Sequence, residues 1–364
     1  MNVCYFCGGF NTNGGIGRVT SIIAENLAKD QDIKVFLCSF YENKTNSYYM
    51  TQNCADSHIL FDTPISMTKA IVKDHAIGKL IKYIKANKIE ILVACGALYF
   101  PLTLLAARMC KIKLICWEHI NPTNYYDYKF QKEARMIGTR YCDCNVVLTN
   151  EALNWYKKHA KYHDIIQIYN PVDPIITKYS QKKYLSESKK IISVGRLCYQ
   201  KNFDRLVDIA DEVLKKYPDW SWDIYGEGEE RIALEEKIRR YNLQEKVTLK
   251  GQVHNIYELY HQYSMIVMTS RYEGFPMVLL EAAACGLPMV SFDIQTGPSE
   301  IIKNGVNGYL CNKNSNSEMI NNIISLIGSE ENRKEFSYNS KKTAESFSVD
   351  SICEQWKKLF KRII

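Results

Sequence analysis

Short apolar runs alternate along the chain with longer stretches in which apolar residues recur three and four positions apart. Residues 2–6, 34–38, 91–95, 113–117, 145–149 and 165–168 read as strands. Residues 18–29, 67–88 and 129–140, with a short segment from Asn150, read as helices. Strands separated by helices imply parallel βαβ units and a doubly wound sheet. The pattern breaks at Tyr169-Asn-Pro-Val-Asp-Pro174, where two prolines stop regular structure, and a polar Lys/Ser-rich stretch runs on to Lys190. It then restarts, with strands at 191–194, 222–225, 247–249, 265–269, 288–292 and 308–310. Helices are expected at 202–217, up to Tyr241, up to Tyr263 and from Pro276, and the polar tract 312–322 reads as the exposed start of another. The organisation is therefore a first α/β domain over 1–170, a linker over 171–190 and a second α/β domain over 191–348. A basic amphipathic helix over 349–364 is expected to pack back on the first domain.

Composition narrows this picture without changing it. The 364 residues suit two domains, and 46% apolar with 24% charged residues exclude wholesale disorder. Thirteen cysteines, many inside apolar segments (Cys38, Cys95, Cys116, Cys285), suit a reducing compartment. The close pairs Cys4/Cys7 and Cys142/Cys144 lack a second Cys/His pair at zinc-ligand spacing and read as structural. No basic, apolar leader opens the sequence. The longest uncharged run, 91–107, is interrupted by Gly96 and Pro101 and falls short of a bilayer span.

The net charge of +7 lies mostly in residues 1–180, where 21 basic residues face 15 acidic ones. Within that half, residues 68–88 carry six lysines and a single acid, Asp74, around Ile77, Leu80, Ile81 and Ile84. Two readings stay open for this stretch: a solvated helix on its own sheet, or a contact with anionic lipid headgroups.

Ligands of open α/β sheets bind beyond the carboxyl ends of the strands. Gly8-Gly-Phe-Asn-Thr-Asn-Gly-Gly-Ile-Gly17 follows the first strand, and Gly14 and Gly15 would let backbone approach a phosphate at a helix N-terminus. Ser193-Val-Gly-Arg-Leu-Cys-Tyr-Gln-Lys-Asn202 places Arg196 and Lys201 ahead of a helix, a pair of cations able to neutralise a departing diphosphate. Between Ser270 and Asp293, Pro276 suits a helix start and Gly286 a helix end. Glu273 falls just before that helix and Glu281 inside it, one carboxylate for a sugar hydroxyl and one for a ribose diol. Asp30/Asp32, the only D-x-D, lies between a helix and a strand, a poor place for a metal-diphosphate site. Gly226-Glu-Gly228 is too short for a dinucleotide fingerprint. Basic charge with 25 tyrosines could suggest nucleic acid, but no motif for it is present. Tyr125, Tyr126, Tyr128 and Phe130 read equally as an aromatic acceptor platform or as core.

Glu273 and Glu281, separated by seven residues, resemble the signature of glycosyltransferase family 4. The resemblance spans nearly the whole chain: Gly14-Gly15, Tyr169-Asn-Pro-Val-Asp173, Val194-Gly-Arg-Leu197 with Lys201, and the Glu273–Glu281 segment. It implies a GT-B fold, two Rossmann-like doubly wound domains facing a central cleft, with the acceptor in the first and the donor in the second. By the same resemblance Arg196 and Lys201, with Gly14, Gly15, Gly274 and Phe275, hold the donor diphosphate, and Glu281 holds the ribose. Glu273, and His119 in Trp117-Glu-His-Ile-Asn121, approach the sugar. The segment from Phe292 to Ile302 resembles members that build bacterial surface polysaccharides from UDP-sugars.

The expected activity is retaining, metal-independent transfer of a hexose (Glc, Gal or an N-acetyl form) from a UDP-sugar to a glycan acceptor. That acceptor is expected to be a lipid-linked intermediate of capsule, O-antigen or exopolysaccharide synthesis, and the location cytoplasmic, at the inner membrane face. No cofactor and no nucleic-acid partner are expected. The alternatives are a GDP-mannose-dependent transferase, an epimerase or phosphorylase on the same fold, and an inactive sugar-nucleotide-binding scaffold.

Overall fold

Strands that are apolar at nearly every position, instead of at every second one, are covered on both faces. Asn2–Cys7 (β1) is of this kind, buried from Val3 onward. It is followed by Lys34–Tyr41 (β2), Asp56–Phe61 (β3), Ile91–Cys95 (β4), Lys113–Glu118 (β5), Cys144–Val147 (β6) and Ile165–Gln167 (β7). The computed structural model describes residues 1–10, 15–42, 52–66, 69–70, 75–123, 131–159 and 164–364. These seven strands form one parallel sheet in the order β3-β2-β1-β4-β5-β6-β7. The edge strand β3 has no counterpart in the sequence reading. Its first three residues, Asp56, Ser57 and His58, are exposed, so no apolar run announces it.

The run 91–107 resolves into β4, a 3-10 turn at Ala97–Tyr99 and the helix Phe100–Cys110. Pro101 stands at the start of that helix, where its missing N–H leaves nothing unpaired. Of the stretch 67–88, the helix Ala76–Ala86 buries Leu80 and Ile84 and packs Ile77 and Ile81 against the same core. Its apolar side is thus taken up by the sheet.

A second parallel sheet contains Lys190–Val194 (β8), Ser221–Tyr225 (β9), Val247–Gly251 (β10), Met265–Met268 (β11), Met289–Asp293 (β12) and Gly308–Asn312 (β13), in the order β10-β9-β8-β11-β12-β13. The helix Phe203–Lys216 shows why such segments form. Phe203, Leu206, Val207, Ala210, Val213 and Leu214 make one buried stripe, Asp204 occupies the first turn, and Lys215 and Lys216 the last. The polar tract near Asn312 does begin a helix, Asn316–Gly328, because Ser315 accepts from the Glu318 amide at 3.1 Å while Glu318 Oε2 accepts from Asn312 N at 2.9 Å. Glu330–Glu345 is a further helix that apolar periodicity had not revealed.

The chain divides into two units, Met1–Pro171 with Val349–Ile364, and Val172–Ser348. The helix Val349–Ile363 belongs to the first. Its Trp356 is buried against Trp117, ring centroids 5.0 Å apart, and against Tyr5 at 5.9 Å. Lys357 also pairs with Asp30 at 2.8 Å, and that contact holds the Asp30 carboxyl below its usual range. The D-x-D aspartate therefore anchors a helix. In each sheet the winding direction reverses once, between β1 and β4 and between β8 and β11.

Candidate active site

The reversal between β8 and β11 opens the crevice in which ligands of such sheets lie, and the two loops bordering it carry most of the residues singled out above. After β8 the chain turns through Arg196 to Lys201, and Asn202 takes a left-handed conformation (φ 58°). This turn is stitched to the end of β11: Asn202 Nδ2 donates to Thr269 O at 3.1 Å, and Thr269 Oγ1 donates to the carbonyls of Lys201 and Asn202 at 3.2 Å each. Arg271 N donates to Gln200 O at 2.8 Å, and Gln200 Nε2 to Tyr272 O at 3.0 Å. Lys201 Nζ then lies 2.6 Å from Glu273 Oε1, with side chains only 17% and 8% exposed. Ser270 Oγ donates to the same carboxylate oxygen at 2.7 Å, and Gln200 Nε2 reaches the other at 3.4 Å.

Arg196 is exposed in the same loop. Gly274 and Phe275 continue the chain to Pro276, and the helix Met277–Ala284 follows. Glu281 is buried within it, and Gly286 (φ 79°) ends it. Gly297 (φ 105°) presses on this segment so closely that a Cβ there would stand 2.5 Å from the Pro276 ring and 3.6 Å from Glu273 Cβ. Lys201 and Glu273 thus meet at one strand-end crevice, with Arg196 in the same loop as Lys201 and the helix that carries buried Glu281 following Glu273. Such a set can hold an anion beside hydroxyl groups.

In the first unit, His119 follows β5. It is buried, its ring centroid 4.2 Å from that of Trp117, and its Nε2 has no hydrogen-bond partner among the described residues. Desolvation alone lowers its pKa to about 3, so the imidazole is neutral around pH 7 and can offer one donor or one acceptor. Gly15 opens the helix Gly15–Leu27 with nothing within 4 Å of the place a Cβ would take. Gly14 and the aromatic residues Tyr125, Tyr126, Tyr128 and Phe130 lie outside the described residues.

Residues 176–343 match the family described as glycosyl transferases group 1, and residues 13–175 match glycosyltransferase family 4. The amylovoran biosynthesis glycosyltransferase AmsD of Erwinia amylovora is 30% identical over 96% of this chain and 96% of its own. The chain belongs to glycosyltransferase family 4. A poly(ribitol-phosphate) alpha-N-acetylglucosaminyltransferase of Staphylococcus aureus is 26% identical to this transferase over 90% of the chain and 67% of the relative. Among solved structures, S. aureus TarM bound to UDP and alpha-GlcNAc-glycerol superposes with a TM-score of 0.82 at 17% identity, covering 99% of both chains. HepE of Anabaena, with UDP and glucose, gives 0.83 at 17% identity and full coverage of both. These structural likenesses show the GT-B fold.

Sequence reasoning missed several residues that shape the transferase's crevice. Gly226 (φ 143°) and Gly228 are not phosphate-loop glycines. A Cβ at either would stand 1.8 Å from Gly195 O or 2.2 Å from Leu197 O, so both permit the Arg196 loop to lie on the β9 loop, where Leu197 N donates to Glu227 O at 2.9 Å. Ser270 and Gln200 fall within the loops after β11 and β8 but carry no periodic signal of their own.

His119 also makes a testable contribution to stability. Its pKa falls from 6.5 in an unfolded chain to about 3 when folded, so between these values the unfolded state binds the extra proton. Its share of stability is present above pH 6.5 and is lost progressively as pH falls towards 3. Melting temperatures of His119→Asn should therefore decline less steeply than those of the natural chain across that window. Parallel curves for the two proteins would refute the assignment.

Proposed function

We propose that this glycosyltransferase moves a hexose (Glc, Gal or an N-acetyl form) from a UDP-linked donor to a glycan acceptor, with retention of the anomeric configuration. The observation that carries the reading is the Lys201–Glu273 contact at the ends of β8 and β11, beside Arg196. A leaving nucleoside diphosphate gains negative charge as its bond to the sugar breaks, and Lys201 and Arg196, with Gly274 and Phe275 supplying backbone, offset it. Glu281 takes the ribose diol. Glu273 positions the sugar by hydrogen bonds. The departing phosphate, steadied by the two cations, itself accepts the proton of the attacking hydroxyl, so the acceptor enters on the face the diphosphate leaves.

UDP is favoured because the structural neighbours TarM and HepE are described with UDP. The acceptor we infer is a lipid-linked intermediate of a surface polysaccharide, in line with the amylovoran relative, and the site of action is the cytoplasmic face of the membrane. No helix of the described residues is long and apolar enough to cross a bilayer.

A thermal-shift screen of UDP- and GDP-hexoses tests the donor, since a ligand at 100 times its Kd stabilises by about 2.7 kcal/mol. A shift with GDP-mannose alone would overturn the UDP reading. NMR of the first-formed product tests the stereochemistry: an α-linked donor should give an α-linkage, and a β-linkage would overturn the frontside mechanism. Because Arg196 and Lys201 carry the leaving-group charge, EDTA should leave the rate nearly unchanged. Activity that vanishes and returns only with Mn²⁺ or Mg²⁺ would transfer that role to a cation.

A further inference from the structure

We propose that the outer face of the helices Phe100–Cys110 and Gln131–Tyr141 is a docking surface for an anionic lipid bilayer. Leu105 and Met109 stand one turn apart on the first helix, and Ile137 and Tyr141 one turn apart on the second, all four between 43% and 66% exposed. The helices are held close: a Cβ on Gly138 would stand 2.3 Å from Phe100 Cβ, and the Arg108 guanidinium donates to Tyr141 O. The two apolar pairs are therefore carried on one firm support and do not depend on a loop for their placement.

What surrounds them selects the partner. Among the described residues, Arg108, Lys111, Lys132 and Arg140 are exposed on or beside these helices, against one exposed carboxylate, Glu133. The Arg140 guanidinium lies 5.5 Å from the Tyr141 ring centroid, which leaves an aromatic ring beside a cation, the pairing suited to the headgroup level. A second copy of the chain docked here about a two-fold axis would bring these like charges together. An anionic membrane neutralises them, each cation near such a surface being worth about fivefold in binding. The neighbouring helix Ala76–Ala86 adds exposed Lys82 and Lys85, while its own apolar side faces the sheet. Four exposed apolar side chains with a basic surround are the pattern of a reversible interfacial contact, not of a span.

The inference extends the membrane side of the proposed function and rests on nothing in the donor site. The test is flotation of the full chain with vesicles of equal parts phosphatidylglycerol and phosphatidylcholine, compared with phosphatidylcholine alone. The chain should float with the anionic vesicles and be released by added salt. Leu105→Ser with Met109→Ser, and separately Lys132→Glu with Arg140→Glu, should each weaken binding about tenfold or more, with melting temperatures close to that of the natural chain. Three results would overturn the proposal: equal binding to both vesicle types, no binding to either, or undiminished binding by both variants. A dimer dissolved by the same substitutions would assign the face to a second copy and overturn it as well. Flotation needs no turnover, and the donor screen needs no lipid, so failure of one leaves the other standing.

Discussion

Lys201→Ala is expected to lower kcat/KM for sugar transfer by about 100-fold or more, because a charge-assisted contact to developing charge in a water-poor site contributes roughly 3 kcal/mol. The local geometry supports an effect of that size. Lys201 Nζ is held 2.6 Å from Glu273 Oε1 in a largely buried pair, and its aliphatic stem lies along Gly195, so the ammonium is placed before any donor arrives. Removing it takes away the cation proposed to face the diphosphate and leaves Glu273, among the described residues, with the Ser270 hydroxyl and the Gln200 amide as neighbouring donors. Glu281→Ala should give a loss of similar size through the ribose, and as an interaction made before the transition state it should appear mainly in KM. Glu273→Gln, which keeps the shape of the side chain, should reduce turnover more than stability. The measurement is steady-state kinetics with the donor identified by thermal shift, alongside melting curves. Near-normal kcat/KM in both alanine variants would reject this crevice as the donor site.

The sequence made the strand-end loops legible because the residues that border a parallel-sheet crevice come in contiguous stretches: Arg196 and Lys201 after β8, Glu273 and Glu281 around the start of one helix. Periodicity also marked the buried strands. It did not mark β3, whose exposed first half pairs along β2 with Phe36 opposite Asp56 and offers no apolar side chain to signal a strand. Nor did it mark Glu330–Glu345, a helix half of whose residues are charged and whose start is capped by Ser329, accepting from Asn332 N at 3.1 Å. Gly226-Glu-Gly228 is too short for a dinucleotide fingerprint, and what requires its glycines, close approach to the carbonyls of Gly195 and Leu197 some thirty residues earlier in the chain, has no local signal. Such needs arise only when two loops meet, and a single sequence carries no trace of the meeting. The family signature supplied what periodicity could not, since it binds distant segments into one site.

The least legible feature is an ion pair, and its loss should have the largest effect on stability. Arg135 reads as one more basic residue on an amphipathic helix, and Glu118 as the end of a strand. In the folded unit both are fully buried, with Arg135 Nε 2.6 Å from Glu118 Oε2. Tyr156 OH donates to the same oxygen at 3.3 Å, Ile120 N to Oε1 at 3.2 Å, and Arg135 Nη1 to Pro122 O at 3.0 Å. These bonds hold both flanks of the turn in which His119 stands. A charge stripped of its partner in such surroundings typically costs about 3 to 5 kcal/mol, whereas replacing both partners by neutral groups of similar volume costs far less. Arg135→Met is therefore expected to destabilise the chain by an amount of that order and, by freeing the turn, to lower transfer activity in the fraction that remains folded. Glu118→Gln should behave similarly, because it leaves the guanidinium without its counter-charge. The double variant Glu118→Gln with Arg135→Met should be more stable than the sum of the two single losses requires, a coupling readable from denaturant midpoints in a double-mutant cycle. Midpoints that add without coupling, or a single variant as stable as the natural chain, would mean that packing of Trp117 and Trp356, not this ion pair, sets the conformation of the turn.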